Sequence, residues 1–474
     1  MKAMKKSLMM RGMVLLHYGI TVLLFVSCWW LFYRHIAAGA VFGAVNISVY
    51  AFYAVSLLML SRIYSAYRVG LLHVGDLFYG QVLSNLISLG LTYLLACALA
   101  RRLINPLAGF GCAAVQALFS AGWTISANRL YFSLHKPKRT VVIYRGESDL
   151  RKLEEIRFFA ERWSVERTVQ WDEENVHDLP YKKETPGGRS FEAIQKLMRI
   201  MEDYEAVFVS GVSATLRNGI VKYCVEKNKA CYFVPHTGDV IISGAEHIRS
   251  FSVPICRARR SRPAPEYLLL KRAMDIVLSL LAIIVTSPFM AIAALAIWSY
   301  DHGPVLYKQV RLTKDGRLFE ILKLRSMIVD AEKGGARLAG EHDDRITPIG
   351  RIIRAIRFDE LPQLFNILKG DMSIVGPRPE RPEIAEQYRQ ELPAFDLRLQ
   401  VKAGLTGYAQ IYGRYNTEPQ DKLKMDLMYI NHASLAEDIK LIFATVRVLF
   451  LRESTAGISE GQTTASAVEK EKSA

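Results

Sequence analysis

The sequence lacks any paired cysteine spacing. Its six cysteines (Cys28, Cys97, Cys112, Cys224, Cys231 and Cys256) are scattered and none forms a CxxC. That excludes a zinc site or a disulfide framework and leaves free thiols in a reducing compartment or in lipid. Acidic residues are few beside basic ones, 46 against 61, for a formal net charge of +15. Such an excess suits nucleic acid, an anionic bilayer surface or an anionic substrate. No nucleic-acid motif is present and the basic residues lie beside apolar segments, so nucleic acid is set aside as a partner. No internal repeat appears, and no clear cleavage site follows the first apolar run, which argues against a removed signal peptide.

What the chain does have is apolar surface. Of 474 residues 51% are hydrophobic, a composition that leans toward a membrane protein. Four apolar stretches come first, at 13–33, 41–60, 77–100 and 104–127, each near the ~20 residues a spanning helix requires. Lys2, Lys5, Lys6 and Arg11 precede them, and Arg129, Lys136, Lys138 and Arg139 follow. Residues 1–135 therefore read as a four-span transmembrane domain with both ends in the cytoplasm. Arg101 and Arg102 oppose that topology and are outnumbered.

Residues 136–258 read as a soluble α/β segment, with strands predicted at 140–144, 206–210 and 230–234 and a helix over about 215–226. This is a Rossmann-like alternation. A dinucleotide site would want GxGxxG after the first strand, where only Gly146 stands. A structural, oligomerising or regulatory module fits better, and a homodimer is compatible with it. Tyr223 and Lys227 match a YxxxK spacing without the glycine fingerprint and read as a solvated helix face. Residues 259–270 look like a linker. An apolar run from 276 to 298, preceded by Lys271 and Arg272, is interrupted by Ser287-Pro288. Proline removes a backbone donor and crowds the preceding turn, so a kink or break is expected there. Residues 436–451 are too short and charged to span, and suit an interfacial or a buried helix. Residues 453–474 are expected to be disordered.

The chemistry concentrates late in the chain. Asp359 and Glu360 are adjacent, and Arg378 follows between Pro377 and Pro379. Arg345, Arg351, Arg354, Arg357 and Arg381 surround them. Carboxylates able to hold a divalent cation, with rigid guanidinium groups, are what phosphoryl transfer needs. Most Asp-Glu pairs are merely solvated surface. Here Asn366, Asp371 and the Gly376-Pro-Arg-Pro379 turn add weight. Two prolines can simply turn a chain around an exposed arginine; beside a carboxylate pair, a phosphate clamp explains Arg378 better. A phosphate site on a membrane-tethered chain points to a lipid phosphate as one substrate.

Six segments carry a closer resemblance: Lys271-Arg-Ala-Met-Asp275, Gly303 to Arg311, Lys323-Leu-Arg325-Ser-Met327, Asp359-Glu360-Leu-Pro-Gln-Leu, Lys369 to Pro379, and Gly404 to Gln410. Together they resemble the bacterial sugar transferases, the polyprenyl-phosphate hexose-1-phosphate transferases that begin exopolysaccharide, capsule and O-antigen units. The N-terminal architecture resembles the long form of that family. The resemblance implies a mostly helical catalytic domain over 271–452 with a re-entrant membrane helix at 272–300. It implies Asp359 as nucleophile toward a UDP-hexose, with undecaprenyl phosphate as acceptor and UMP released. It implies Glu360 as its partner, Mg²⁺ bridging Asp359 and the diphosphate, and Arg378 on phosphate. Arg325, Arg354, Arg357 and Gln410 join Arg378 as phosphate- or substrate-binding candidates. Lys271, Arg272 and Asp275 would anchor the re-entrant helix, and Ser287-Pro288 would break it. The implied location is the cytoplasmic face of the bacterial inner membrane. Two departures stand out: Thr313 where the family often has glycine, and Ala403 where it often has proline. Other classes predict differently. A non-catalytic scaffold of polysaccharide assembly would need Asp359 only for folding. A membrane-tethered nucleotide-sugar dehydratase or epimerase would carry NAD(P), against the missing fingerprint.

Overall fold

A computed structural model describes residues 2–34, 43–153, 162–171, 195, 197–248, 253–329, 331, 343–413 and 417–449. The expected tail at 453–474 lies outside these residues. The chain divides into two compact units, Met1–Val234 and Pro235–Ala474.

The first unit opens with four long helices, α1 (Lys2–Phe32), α2 (Ala44–Ile63), α3 (Val74–Ala100) and α4 (Leu107–Leu134). All four are long and apolar enough to cross a membrane. Their packing inverts that of a soluble bundle. Gln81, Ser84, Ser88 and Thr92 line one buried face of α3, and Gln116, Ser120 and Thr124 recur every fourth residue on α4. Leu94, Leu107 and Leu118 point outward, each more than 60% exposed. Polar side chains bond one another inside: Thr124 Oγ1 donates to Gln81 Oε1 at 2.9 Å, and Gln116 Nε2 to Tyr53 Oη at 2.9 Å. A polar interior under an apolar exterior is the arrangement for hydrocarbon surroundings, where helix contacts gain from hydrogen bonds rather than from apolar burial.

The same unit carries a four-stranded parallel sheet of β1 (Lys138–Tyr144), β2 (Trp163–Gln170), β3 (Ala206–Ser210) and β4 (Ala230–Phe233), in the order β2-β1-β3-β4. A short helix, α5 (Glu147–Leu153), follows β1. The helix α6 (Ala214–Glu226) covers the sheet with Leu216, Ile220 and Cys224 on Val141, Ile143, Val207 and Val209. Strand β2 was not expected. It is an edge strand whose Glu166, Arg167 and Thr168 are exposed, and Arg167 interrupts the apolar alternation of Trp163, Val165 and Val169.

The second unit begins with α7 (Thr237–Ser243) and the antiparallel pair β5 (Glu246–Ile248) and β6 (Ile255–Arg257). The helix α8 (Pro265–Asp301) follows, then the hairpin β7 (Leu306–Leu312) and β8 (Leu318–Leu324). Next come α9 (Pro348–Ala355), α10 (Gln363–Lys369), β9 (Ser373–Val375) and α11 (Pro382–Glu391). The chain ends with β10 (Gly404–Thr406), α12 (Tyr408–Ile411), α13 (Pro419–Asn431) and α14 (Leu435–Leu449). Val240 of α7 shares a buried core with Leu423 and Leu427 of α13, and Asn431 Nδ2 donates to its carbonyl at 2.6 Å. On α14, Leu441 is fully buried and Asp438 is 0% exposed, which favours the buried of the two readings for that helix.

Of the kink or break expected at Pro288, the break does not occur: helix α8 runs continuously through it. The proline cannot donate to the Ile284 carbonyl four residues back. Ser287 Oγ donates to that carbonyl instead, at 3.0 Å. The neighbouring hydroxyl replaces the lost ladder bond, and the helix continues. Leu269, Ile284, Val285, Phe289, Ile292 and Leu295 of this helix are each at least 59% exposed, a long apolar face with no protein cover.

Candidate functional site

Three short elements build the site. Thr347 caps α9, its Oγ1 accepting from Gly350 N at 2.9 Å, with Pro348 opening the helix. After α9 the chain turns sharply at Arg357, whose φ of +53° is left-handed. That conformation is uncommon for a non-glycine residue. It leads into a single 3₁₀ turn, Phe358–Glu360, which carries both carboxylates. Helix α10 follows, and Asn366 fastens it to β8: its Oδ1 accepts from Leu322 N at 2.9 Å and its Nδ2 donates to the Glu320 carbonyl at 2.7 Å. This clamp sets the register between the Phe358–Glu360 turn and Lys323 on β8.

The two carboxylates have different surroundings. Lys323 Nζ and Arg378 Nη2 both donate to Glu360 Oε1, each at 3.2 Å. Among the described residues no side chain donates a hydrogen bond to Asp359. Burial acts to raise the Glu360 pKa, but Lys323, Arg378 and Arg357 together draw it below the usual carboxylate range. Burial raises that of Asp359, and the Glu360 charge adds to it, against the pull of Lys323 and Arg354. Environment thus separates two adjacent acids. Lys323 is itself lowered, first by burial and then by Arg378 and Arg311. Burial, with Arg378 and Arg381 nearby, brings Arg311 down to about 10.

Asp359, Glu360, Arg357, Arg354 and Arg378 therefore form one electrostatic cluster. Lys323 and Arg311 belong to it and were not among the residues singled out from sequence. Both lie in matched segments, which was the available signal. Arg325 sits elsewhere: it is 7% exposed and forks the Asp301 carboxylate at the end of α8, with Nη1 at 2.7 Å from Oδ2. Gln410 closes the turn after β10, its Nε2 donating to the Leu405 carbonyl at 3.0 Å. The Lys271, Arg272 and Asp275 group bolts α8 to the domain. Arg272 donates to the carbonyls of Ile367 and Leu368 at the end of α10, at 2.6 and 2.7 Å. Asp275 Oδ1 accepts from Ile374 N at 3.0 Å, and Lys271 Nζ reaches Asp438 Oδ2 at 2.8 Å.

No group of three or more His, Cys, Asp or Glu able to hold a metal occurs among the described residues. A pair of carboxylates completed by substrate phosphates is nonetheless a usual Mg²⁺ arrangement, and Asp359 has the donor chemistry for it. In the α/β sheet, the turn after β1 is taken by a carboxylate: Asp149 Oδ2 accepts from Gly146 N and Oδ1 from Ser210 Oγ, both at 3.4 Å.

Comparison with known proteins gives consistent matches. The family model "Bacterial sugar transferase" matches residues 266–452. A UDP-N-acetylgalactosamine-undecaprenyl-phosphate N-acetylgalactosaminephosphotransferase of Aeromonas hydrophila is 41% identical over 190 residues, 40% of this chain and 45% of that protein. UDP-glucose:undecaprenyl-phosphate glucose-1-phosphate transferases are similar as well. That of Escherichia coli is 34% identical over 280 residues, 56% of this chain and 60% of that protein. That of Caulobacter vibrioides is 40% identical over 189 residues, 39% of this chain and 71% of that protein. The chain thus spans about half the length of the first of these relatives and most of the last.

Proposed function

The chain belongs to the bacterial sugar transferase family, and from that premise we propose that it moves a hexose 1-phosphate from a UDP-hexose to undecaprenyl phosphate. The product is an undecaprenyl diphosphate sugar, the start of an exopolysaccharide or capsule unit. The relatives named above share the undecaprenyl phosphate acceptor and differ in sugar, so the sugar is the variable of the assay.

The observation that carries the proposal is the asymmetry of Asp359 and Glu360. Glu360 is held ionised by Lys323 and Arg378, and a carboxylate already paired with two cations is a poor nucleophile. Asp359, with no such donor recorded among the described residues, is the oxygen available to react. Its Oδ attacks the β-phosphorus of the donor; the new O–P bond forms as the bond to the UMP oxygen breaks, and UMP leaves with the electron pair. An oxygen of the acceptor phosphate then attacks the same phosphorus and releases Asp359. Arg378 and its neighbours Arg357 and Arg354 neutralise charge on the diphosphate and orient it. Mg²⁺, held by Asp359 with diphosphate oxygens, would supply further charge neutralisation.

We also propose that α8 is re-entrant and that the site faces the cytoplasm. Support comes from the two ends of the helix. Arg272 and Asp275 near its start are bonded to α10 and β9, while Asp301 at its end is bonded to Arg325 and Ile297 packs on Leu324 and Ile353. A helix whose two ends are fastened to one folded unit cannot place them on opposite sides of a bilayer unless that unit crosses as well. In the same organisation residues 1–135 are the membrane domain and the rest of the first unit, to Val234, a structural or oligomerising module, while α7 packs with the second unit.

The test is UMP release by the detergent-solubilised full chain with Mg²⁺, undecaprenyl phosphate and a panel of UDP-sugars, beside Asp359→Asn. Lipid-dependent UMP that disappears in a folded variant is expected. Unchanged release in Asp359→Asn rules out the nucleophile, and no release with any donor returns the chain to the scaffold reading.

A further inference from the structure

Arg378 lies in a segment that supplies little of its own backbone hydrogen bonding, since Pro377 and Pro379 have no N–H. What fixes it comes from outside. The carbonyls of Pro377, Arg378, Pro379 and Glu380 each accept one hydrogen bond. The donors are Gly404 N at 2.8 Å, Arg398 Nη2 at 3.0 Å, Arg311 Nη1 at 3.1 Å and Leu312 N at 3.0 Å. The carbonyl of Arg378 itself is held by a buried, multiply bonded side chain.

That side chain is Arg398, 2% exposed, in the Pro393–Gln400 3₁₀ segment. Its Nε donates to Asp426 Oδ2 at 2.8 Å, and its Nη2 lies 2.7 Å from the same oxygen. Its Nη1 reaches Glu380 Oε1 at 3.4 Å, and the guanidinium lies over the Phe395 ring at 4.9 Å. Asp426, on α13, is 1% exposed. The guanidinium is therefore immobile, and its remaining donor capacity is aimed at the residue that presents the phosphate clamp.

We infer that Arg398 is a positioning residue for the transfer reaction: by holding the Arg378 carbonyl, it fixes where the Arg378 guanidinium meets the donor diphosphate. The inference rests on Arg378 being the phosphate clamp. The plainer role is a buried ion pair that ties α13 to the Pro393–Gln400 segment. The two roles differ in whether the effect of Arg398 passes through Arg378.

A double-mutant cycle reads that difference. UMP release is measured for the full chain, Arg398→Lys, Arg378→Ala and the double variant, with thermal melting of each. Lysine keeps a charge for Asp426 but lacks the planar fork that serves Asp426 and the Arg378 carbonyl together. Expected is a loss of about 10- to 100-fold in kcat/KM for Arg398→Lys, and less than about twofold further loss when it is added to Arg378→Ala. If Arg398→Lys melts early, Arg398→Met paired with Asp426→Leu removes both charges together, a swap buried pairs often tolerate, and the same pattern is expected. Equal losses with and without Arg378, or no loss for a folded Arg398 variant while Arg378→Ala is impaired, overturn the positioning role. Full activity in Arg378→Ala instead overturns the clamp on which it rests.

Discussion

Lys323 Nζ lies 3.2 Å from Glu360 Oε1, and the two side chains are only 18% and 15% exposed. The same ammonium lowers the pKa of both Glu360 and Asp359. Removing it in Lys323→Met should raise both. The acid limb of the kcat/KM profile reports the protonation of the reacting carboxylate, so it should move to higher pH. Stability should respond as well. The Glu360 pKa is depressed in the fold, so its contribution is present above the unfolded value and is lost as pH falls through the folded one. In Lys323→Met that contribution should be smaller, and its loss should be complete at higher pH. A pH-rate profile and a series of melting curves check the two effects, and an unshifted acid limb refutes the coupling.

Asp359 has the opposite sign. Burial lifts its folded pKa above the unfolded value. Between those two values the native state binds more protons than the unfolded chain, so stability is greater below the unfolded pKa and declines as pH rises through the folded pKa. At neutral pH the ionised Asp359 is a net cost to the fold. Asp359→Asn should abolish UMP release while raising the melting temperature at neutral pH. Melting of the variant well below wild type would show that Asp359 serves the fold rather than the reaction.

Arg272 binds the C-terminal end of α10 from outside that helix, donating to the carbonyls of Ile367 and Leu368. These lie at the C-terminal end of a helix, where positive charge is favoured. Arg272→Gln should therefore destabilise the second unit by about 2 kcal/mol. Thermal melting in one detergent, compared with Lys369→Gln as a control for an exposed charge, measures it. Equal melting of the two variants would mean the bonds contribute nothing.

The proposed path of α8 can be read by labelling. Single cysteines at Glu266→Cys and Pro304→Cys, in a background without the native cysteines, flank the helix and are exposed. Both should react with an impermeant maleimide only when the cytoplasmic face is accessible. Labelling from opposite faces would make α8 a fifth span.

Apolar length made the four N-terminal spans legible, because about 20 apolar residues have few other uses. The carboxylate pair and Arg378 were legible because their types and spacing are unusual together. Lys323 was not, since nothing local shows that β8 runs beside the Phe358–Glu360 turn; Asn366 makes that contact across the intervening chain. Arg325 resembled a phosphate ligand until its partner Asp301 could be seen. The proline rule predicted a kink or break in α8; the helix is continuous there, and the Ser287 hydroxyl meets the carbonyl that the proline leaves unfilled. In each case the sequence carried the group, while the fold decided its partner.

The two departures from the family pattern meet in space. Thr313 Oγ1 accepts from Ala403 N at 3.2 Å and donates to the Asp371 carbonyl at 2.9 Å. Ala403 is 4% exposed and Thr313 2%. A proline at 403 would have no N–H to satisfy, so with a glycine at 313 only the Asp371 carbonyl would lose its partner. An alanine at 403 brings a buried N–H that needs an acceptor, and the threonine hydroxyl is that acceptor. Thr313→Gly should therefore cost about 1–2 kcal/mol by orphaning the Ala403 N–H. Adding Ala403→Pro to it should recover a large part of that loss, giving a coupling of roughly 1 kcal/mol between the sites. The next residue, Gly404, holds the Pro377 carbonyl, so UMP release should fall in Thr313→Gly and return in the double variant. Additive losses in both stability and UMP release would mean that the two substitutions arose independently and that the hydrogen bond between them is incidental.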